Sequence, residues 1–100
     1  MAWEIELRDC ILFIEGEVSG HNIDDFCQQI RPYFPPAKGF DLLDFDIEDG
    51  VAMAALITFL RQVVPVEIHH APQMLAHTIY KIGMLDTGSI QLIRPRYDEN

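Results

Sequence analysis

Trp3, Ile5 and Leu7 alternate with Glu4, Glu6 and Arg8, a period of two that predicts a strand with one solvated face. Arg8-Asp9 predicts a turn. Residues 10–14 are almost wholly apolar, which predicts a second strand buried on both faces and ended by Glu15-Gly16-Glu17, so the chain opens as a β-hairpin. The period then changes. Residues 19–22 supply capping side chains, and Ile23, Phe26, Cys27, Ile30 and Phe34 recur at steps of three and four, with Asp24, Asp25, Gln28 and Gln29 on the other side. This predicts an amphipathic helix that stops near Arg31, because Pro32 has no amide to bond back to Gln28. Residues 35–39, with two prolines and a glycine, predict a stiff connector.

The second half continues in alternation. Residues 40–45 predict a buried strand, 51–63 a helix, 66–70 a short strand behind Pro65, and 89–93 a last strand. Between the last two strands, Leu75, Thr78, Ile79 and Ile82 give 72–82 helical spacing, with Gly83 placed as its C-terminal cap. This order defines a single α/β domain: a mixed, mostly parallel sheet with an N-terminal hairpin and helices packed on one side. The core spans residues 3–93, built on Phe40, Met53, Leu56, Ile57, Phe59, Leu60 and Ile79; residues 94–100, with Arg94 and Arg96 around Pro95, predict a solvated tail. Apolar residues on the 51–63 helix exceed one stripe. Ala52, Met53, Ala55, Leu56, Phe59, Leu60 and Val63 predict a second, uncovered edge suited to a protein interface.

Charge narrows the function classes. The 100 residues are 49% hydrophobic and 23% charged, the balance of one compact domain, with a net charge of −9. All of that excess lies in residues 1–50, since residues 51–100 carry as many bases as acids. Only seven lysines and arginines are spread along the chain, which argues against nucleic acid and against an anionic membrane surface. A protein with a basic or amide-rich face remains, or a cation. The longest apolar run, 51–60, is too short to cross a bilayer, so no membrane insertion is expected. Two cysteines, Cys10 and Cys27, without C-x-x-C spacing read as reduced, buried apolar fillers of a cytoplasmic protein.

The densest candidate chemistry is one corner. Asp41, Asp44, Asp46, Glu48 and Asp49 stop at Gly50, where a small-residue apolar helix begins. Acids before a helix stabilise its N-terminus, and the same acids can meet a partner; the two roles coexist. Asp44, Asp46, Glu48 and Asp49 are also the residue types that bind a hard cation, but their spacing is not that of an EF-hand loop, and no nucleophile or oxyanion donor is grouped with them. A small metal-dependent enzyme would need a deep pocket lined by Asp44, Asp46 and His70. His69 and His70 face opposite ways on a strand, which keeps them out of one simple zinc site, although His70 and His77 can approach each other. Phosphate-cradling glycine loops are lacking. No catalytic, metal or cofactor residue is therefore expected, and no cofactor.

Gly16-Glu17-Val18 before the first helix, Leu42-Leu43-Asp44 in a central strand, the helix start at 50–56 and Ala71-Pro72 before the third helix together resemble a STAS domain over residues 3–93. That resemblance implies a non-enzymatic regulatory module like the bacterial anti-sigma factor antagonists, docking a partner on the loop before Gly50 and its helix. By this resemblance the contacts are Asp46, Glu48, Asp49, Gly50 and Met53, and the partner is an anti-sigma kinase-like protein. The alternative is an accessory subunit that binds a membrane transporter component. A homodimer stays open. Phosphoregulated members carry Ser or Thr where this chain has Asp49, and no Ser or Thr occurs between Gly20 and Leu56, so the surface is expected to be constitutive.

Overall fold

The computed structural model describes residues 3–85 and 87–96. Five strands and three α-helices alternate after an N-terminal hairpin: β1 (Glu4–Arg8), β2 (Ile11–Val18), α1 (Ile23–Ile30), β3 (Gly39–Ile47), α2 (Gly50–Val63), β4 (Val66–His69), α3 (Gln73–Lys81) and β5 (Ile90–Ile93). The strands lie in the sheet in chain order, β1 antiparallel to β2 and every later pair parallel. Successive right-handed crossovers that always step in one direction place their helices on one face. Ile14, Phe40, Phe45 and Ile68 of the sheet accordingly share a single buried cluster with Ile23 and Phe26 of α1, Leu56 and Phe59 of α2, and Leu75 and Ile79 of α3. The result is a two-layer α/β domain in which, among the described residues, no helix covers the opposite face of the sheet.

That uncovered face changes how β2 is read. Leu12 and Ile14 are buried, but Ile11 and Phe13 are only half-buried, because no helix covers their side of the sheet. The Arg8 guanidinium lies 4.0 Å from the Phe13 ring centre and shields it from water. Glu15, Gly16 and Glu17 do not end the strand. They pair with Asp44, Phe45 and Asp46 of β3, and the backbone pairing outweighs their weak strand preference. The hairpin turn falls on Asp9-Cys10, both with positive φ, so Cys10 is a half-exposed turn residue and not a core filler.

β3 runs two residues beyond the predicted strand and contains an irregularity. Phe13 faces Asp41, yet Glu15 faces Asp44, so β3 holds one extra residue in that interval. The Asp41 carboxylate accepts a hydrogen bond from the Leu43 amide inside the bulge (3.1 Å). The bulge reverses the phase of the strand. Phe40 and Leu42 point into the core before it and Phe45 after it, which leaves Asp44 and Asp46 on the open face.

The helices keep their predicted extents to within a residue or two. α1 ends at Ile30 and passes into a short 3-10 turn, Arg31–Tyr33, that accommodates Pro32. Asn22 precedes α1 without a side-chain cap to it; its Oδ1 accepts from the Ser19 amide (2.8 Å) and rigidifies the loop instead. α3 ends on Gly83 at φ +81, a left-handed conformation that glycine adopts without steric cost. Ile82, which shares the helical spacing of Leu75 and Ile79, lies just past the last turn and is 41% exposed.

The apolar edge expected on α2 is largely covered by the domain itself. Ala52, Leu56, Phe59 and Leu60 are buried, and Met53, Ala55 and Val63 pack partly buried against the core. The reason is that α2 is the central helix, flanked on both sides, and a central helix needs a wide apolar arc. Its exposed side carries Val51, Ala54 and Thr58.

Of the tail beyond β5, Arg94 is exposed as expected, but Arg96 is held against the domain. Arg96 donates from Nη2 to the Phe45 carbonyl (2.6 Å) and from Nε to the His70 carbonyl (3.2 Å), and its amide bonds the Ala71 carbonyl (2.9 Å). β4 pairs with β3 only over Gly39, Phe40 and Asp41, so the far half of β3 lacks a neighbour on that side, and Arg96 supplies the donor that a strand would have supplied. Residues 97–100 of the predicted tail lie outside the described residues.

Candidate functional site

The acidic corner is assembled where the parallel strands end. β3 extends to Ile47, so Asp44 and Asp46 belong to a strand and only Glu48 and Asp49 form the junction to α2. The Glu48 amide donates to the Val18 carbonyl (2.8 Å), which prolongs the β2–β3 ladder up to the turn. Asp49 follows in an extended conformation as the N-cap of α2.

Both carboxylate oxygens of Asp49 are used by the chain itself. Oδ1 accepts from the Ala52 amide (2.9 Å) and Oδ2 from the Gly20 amide in the β2–α1 loop (2.9 Å). These bonds, that from Gly20 foremost, hold its pKa below the usual carboxylate value of 3.8. Asp49 is therefore a clip between two loops and a cap at once. Asn and Ser usually cap as well as Asp, but neither offers two acceptors, and an Asn amide group would confront the Gly20 N–H donor to donor. Asp49→Asn is accordingly expected to lower the melting temperature by about 4–8 °C, and Asp49→Ala by no less. The sign of the pH dependence follows from the depressed pKa. The contribution of Asp49 is fully present above the unfolded value and fades as pH falls through 3.8 and below. Thermal melts at pH 6 and pH 3 check this: the gap between wild type and Asp49→Asn should narrow in acid, and a constant gap contradicts the assignment.

The other corner residues play different parts. Glu48 lies beside Glu17, and the hydrogen bond and repulsion between these carboxyls, with smaller contributions from Asp49 and Asp46, raise its pKa above the usual value. Asp46 is exposed and 3.6 Å from the Arg96 guanidinium. Gly50 begins α2 in the open, and a Cβ there would meet nothing within 4 Å. Met53 is half-buried against the core. Val51, which the sequence pattern did not single out, is a large apolar residue of the first turn that is 65% exposed. Of the residues assigned to partner contact, Asp46, Glu48 and Gly50 thus stand on the surface at one corner, Met53 is only partly accessible, and Asp49 is occupied by backbone amides.

The residues of a metal-dependent enzyme are not gathered. Asp44 lines a hollow of about 460 Å³ on the open sheet face, but neither Asp46 nor His70 is in its wall. His70 Nδ1 sits 3.3 Å from both carboxylate oxygens of Asp41, and His69 Nε2 is 3.0 Å from Glu67 Oε1, so the two neighbours engage separate strands. His77 lies exposed on α3. Among the described residues, no group of three or more histidines, cysteines and acids is placed to hold a metal ion, and no helix is long and apolar enough to cross a membrane. Cys27 is half-buried in α1, and burial pushes its thiol pKa up, away from nucleophilic reactivity at neutral pH.

The class these observations define is a single α/β domain with a five-stranded mixed sheet and three helices. No family model and no curated protein matches the sequence.

Proposed function

We propose that the chain is a non-enzymatic protein-interaction module that docks its partner on the corner formed by the end of β3 and the outer side of α2, as a STAS-like domain without a phosphorylation switch at that position. The observation that carries this reading is the meeting of acids and an exposed apolar residue within a few positions of the chain: Glu48, set against Glu17, leads through Asp49 and Gly50 to Val51, which is 65% exposed. Acids of this kind steer encounter with a basic surface, and an apolar anchor supplies contact area. Asp49 contributes by holding α2 in place, a permanent charge doing at the helix start what a reversible phosphate does elsewhere. The partners implied by the STAS resemblance are an anti-sigma kinase-like protein or a transporter component.

The test uses charge reversal at Glu17 and Glu48 and spares Asp49, whose replacement would disturb the fold. The full chain is immobilised, the captured protein identified, and association measured with that purified partner at low and high salt. Recovery of a kinase-fold protein selects the antagonist, and recovery of a transporter ATPase the accessory subunit. Glu17→Lys/Glu48→Lys is expected to slow association about tenfold at low salt and to have little effect at high salt. An unchanged on-rate, or an unchanged complex with Val51→Asp, would remove the corner as the docking surface.

A further inference from the structure

The open face of the sheet is a second charged surface, and its composition arises from register alone. Glu4 faces Glu15 across β1 and β2, and Glu15 faces Asp44 across β2 and β3, so three carboxylates lie in one row. The next row sets Glu6 against Phe13 and Phe13 against Asp41. Like charges directly opposite one another destabilise a sheet. Glu15 bears the effect: repulsion from Glu4 first, then desolvation, a shared hydrogen bond and Asp44, raise its pKa above the usual value. The two rows enclose the hollow of about 460 Å³, whose floor includes Phe13 and whose wall includes Leu43, 50% exposed in the β3 bulge.

One guanidinium already shows what this face accepts. Arg8 stacks over Phe13 at 4.0 Å and pairs with Glu6 at 3.4 Å, combining an aromatic plane with a carboxylate. It sits at one end and leaves the row of Glu4, Glu15 and Asp44 without a basic side chain across from it in the strand register. A second copy of this chain is a poor occupant, because a two-fold contact through this face would set the acidic rows against each other. A polypeptide segment bearing arginines around an apolar residue satisfies both the acids and Leu43.

We infer that the open sheet face between β1 and β3 is a docking surface for a basic, arginine-bearing polypeptide segment, centred on Glu4, Glu15 and Asp44 and adjoining the corner through Glu17, which pairs with Asp46 one row further along the same face. Its guanidinium groups lie along Glu4, Glu15 and Asp44, and its apolar side chain rests on Leu43 and Phe13. Binding relieves repulsion that the isolated domain tolerates, so the acids that weaken the free fold are the ones that select the ligand.

The experiment titrates the full chain with a labelled synthetic peptide alternating arginine and threonine around one leucine, and with its glutamine-for-arginine analogue, at about 20 mM salt. Expected results are saturable binding of the arginine peptide alone and amide shifts in the NMR spectrum centred on Glu15, Leu43 and Asp44. Glu15→Gln/Asp44→Asn should bind about five- to tenfold more weakly while melting no lower than wild type, since the substitutions remove repulsion. Glu48→Lys and Val51→Asp, which lie beyond the end of β3, should leave the shifts at Leu43 in place, which distinguishes this surface from the corner. Lack of saturable binding, undiminished binding by the Glu15→Gln/Asp44→Asn variant, or shifts confined to Asp24 and Asp25 of α1 or to the corner would each overturn the inference. Should that double variant fail to fold, Glu4→Gln on the edge strand provides the same comparison.

Discussion

Phe26→Ala is expected to destabilise the domain by about 3–5 kcal/mol, a large share of the roughly 5–15 kcal/mol that holds a domain of this size together. Phe26 is 1% exposed on α1 and joins three elements. Its ring meets Trp3 edge-on at 5.2 Å before β1 and stacks on Phe45 of β3 at 5.1 Å. Truncation opens a cavity at the centre of that column, and the Trp3 indole cannot follow because its Nε1 donates to the Glu17 carbonyl at 2.9 Å. The loss spreads to the acidic corner, since Phe45 lies between Asp44 and Asp46 and its carbonyl receives the Arg96 guanidinium. Urea denaturation checks the figure: the midpoint should fall with the slope unchanged. A loss below about 1 kcal/mol would mean that α1 does not pack on β3 as described.

Gly39→Ala is expected to cost about 3 kcal/mol although it adds a single methyl group. A Cβ at Gly39 would stand 2.5 Å from the Glu67 carbonyl oxygen and 2.9 Å from the Glu67 Cβ on β4. The nearest atom belongs to the backbone, so no rotamer change relieves the clash. Gly39 pairs with Glu67 in the parallel register, and the Glu67 amide bonds the Lys38 carbonyl at 3.0 Å, so separating the strands sacrifices the pairing of β4 at its entry. Amide exchange should therefore accelerate at Glu67 and along β4 and β5 more than in the β1–β2 hairpin. Uniform acceleration would point to a global effect and not to this contact. Glu67→Ala should not rescue the variant, because the carbonyl is the closer obstacle.

Local pattern was a sound guide where one residue's neighbours in sequence decide its environment. The alternation of Trp3, Ile5 and Leu7 appears as the inward side of the N-terminal segment, and the three- and four-residue steps of Ile23, Phe26 and Ile30 as the buried stripe of α1. Pro32 and Gly83 mark helix ends for reasons contained in the residues themselves. The same logic failed for Glu15-Gly16-Glu17, polar enough to end an isolated strand but held in one by β3. It failed for α2, where the width of the apolar arc measured how much of the helix the domain covers, not how much it leaves bare. It failed for Arg96, because its acceptors at Phe45 and His70 are remote in the chain.

The candidate site divides in the same manner. Asp49 before Gly50 is recognisable as a helix cap from the sequence, but its second bond, to Gly20, requires the β2–α1 loop to return beside α2. The acids of Glu4, Glu15 and Asp44 are scattered in the chain and give no motif. They meet because the hairpin register and the β3 bulge place them opposite one another.

By itself, the amino-acid sequence determined the single α/β domain, the order of its elements, the acidic excess and the capping role at Asp49, because periodicity, charge and capping act over a few residues or over the whole composition. Only the tertiary structure decided which face of the sheet stays open, which acids stand together on it and which apolar residues remain exposed. Strand register and helix coverage are set by contacts between distant segments, and a shift of one residue, as in the β3 bulge, turns side chains from the core to the surface.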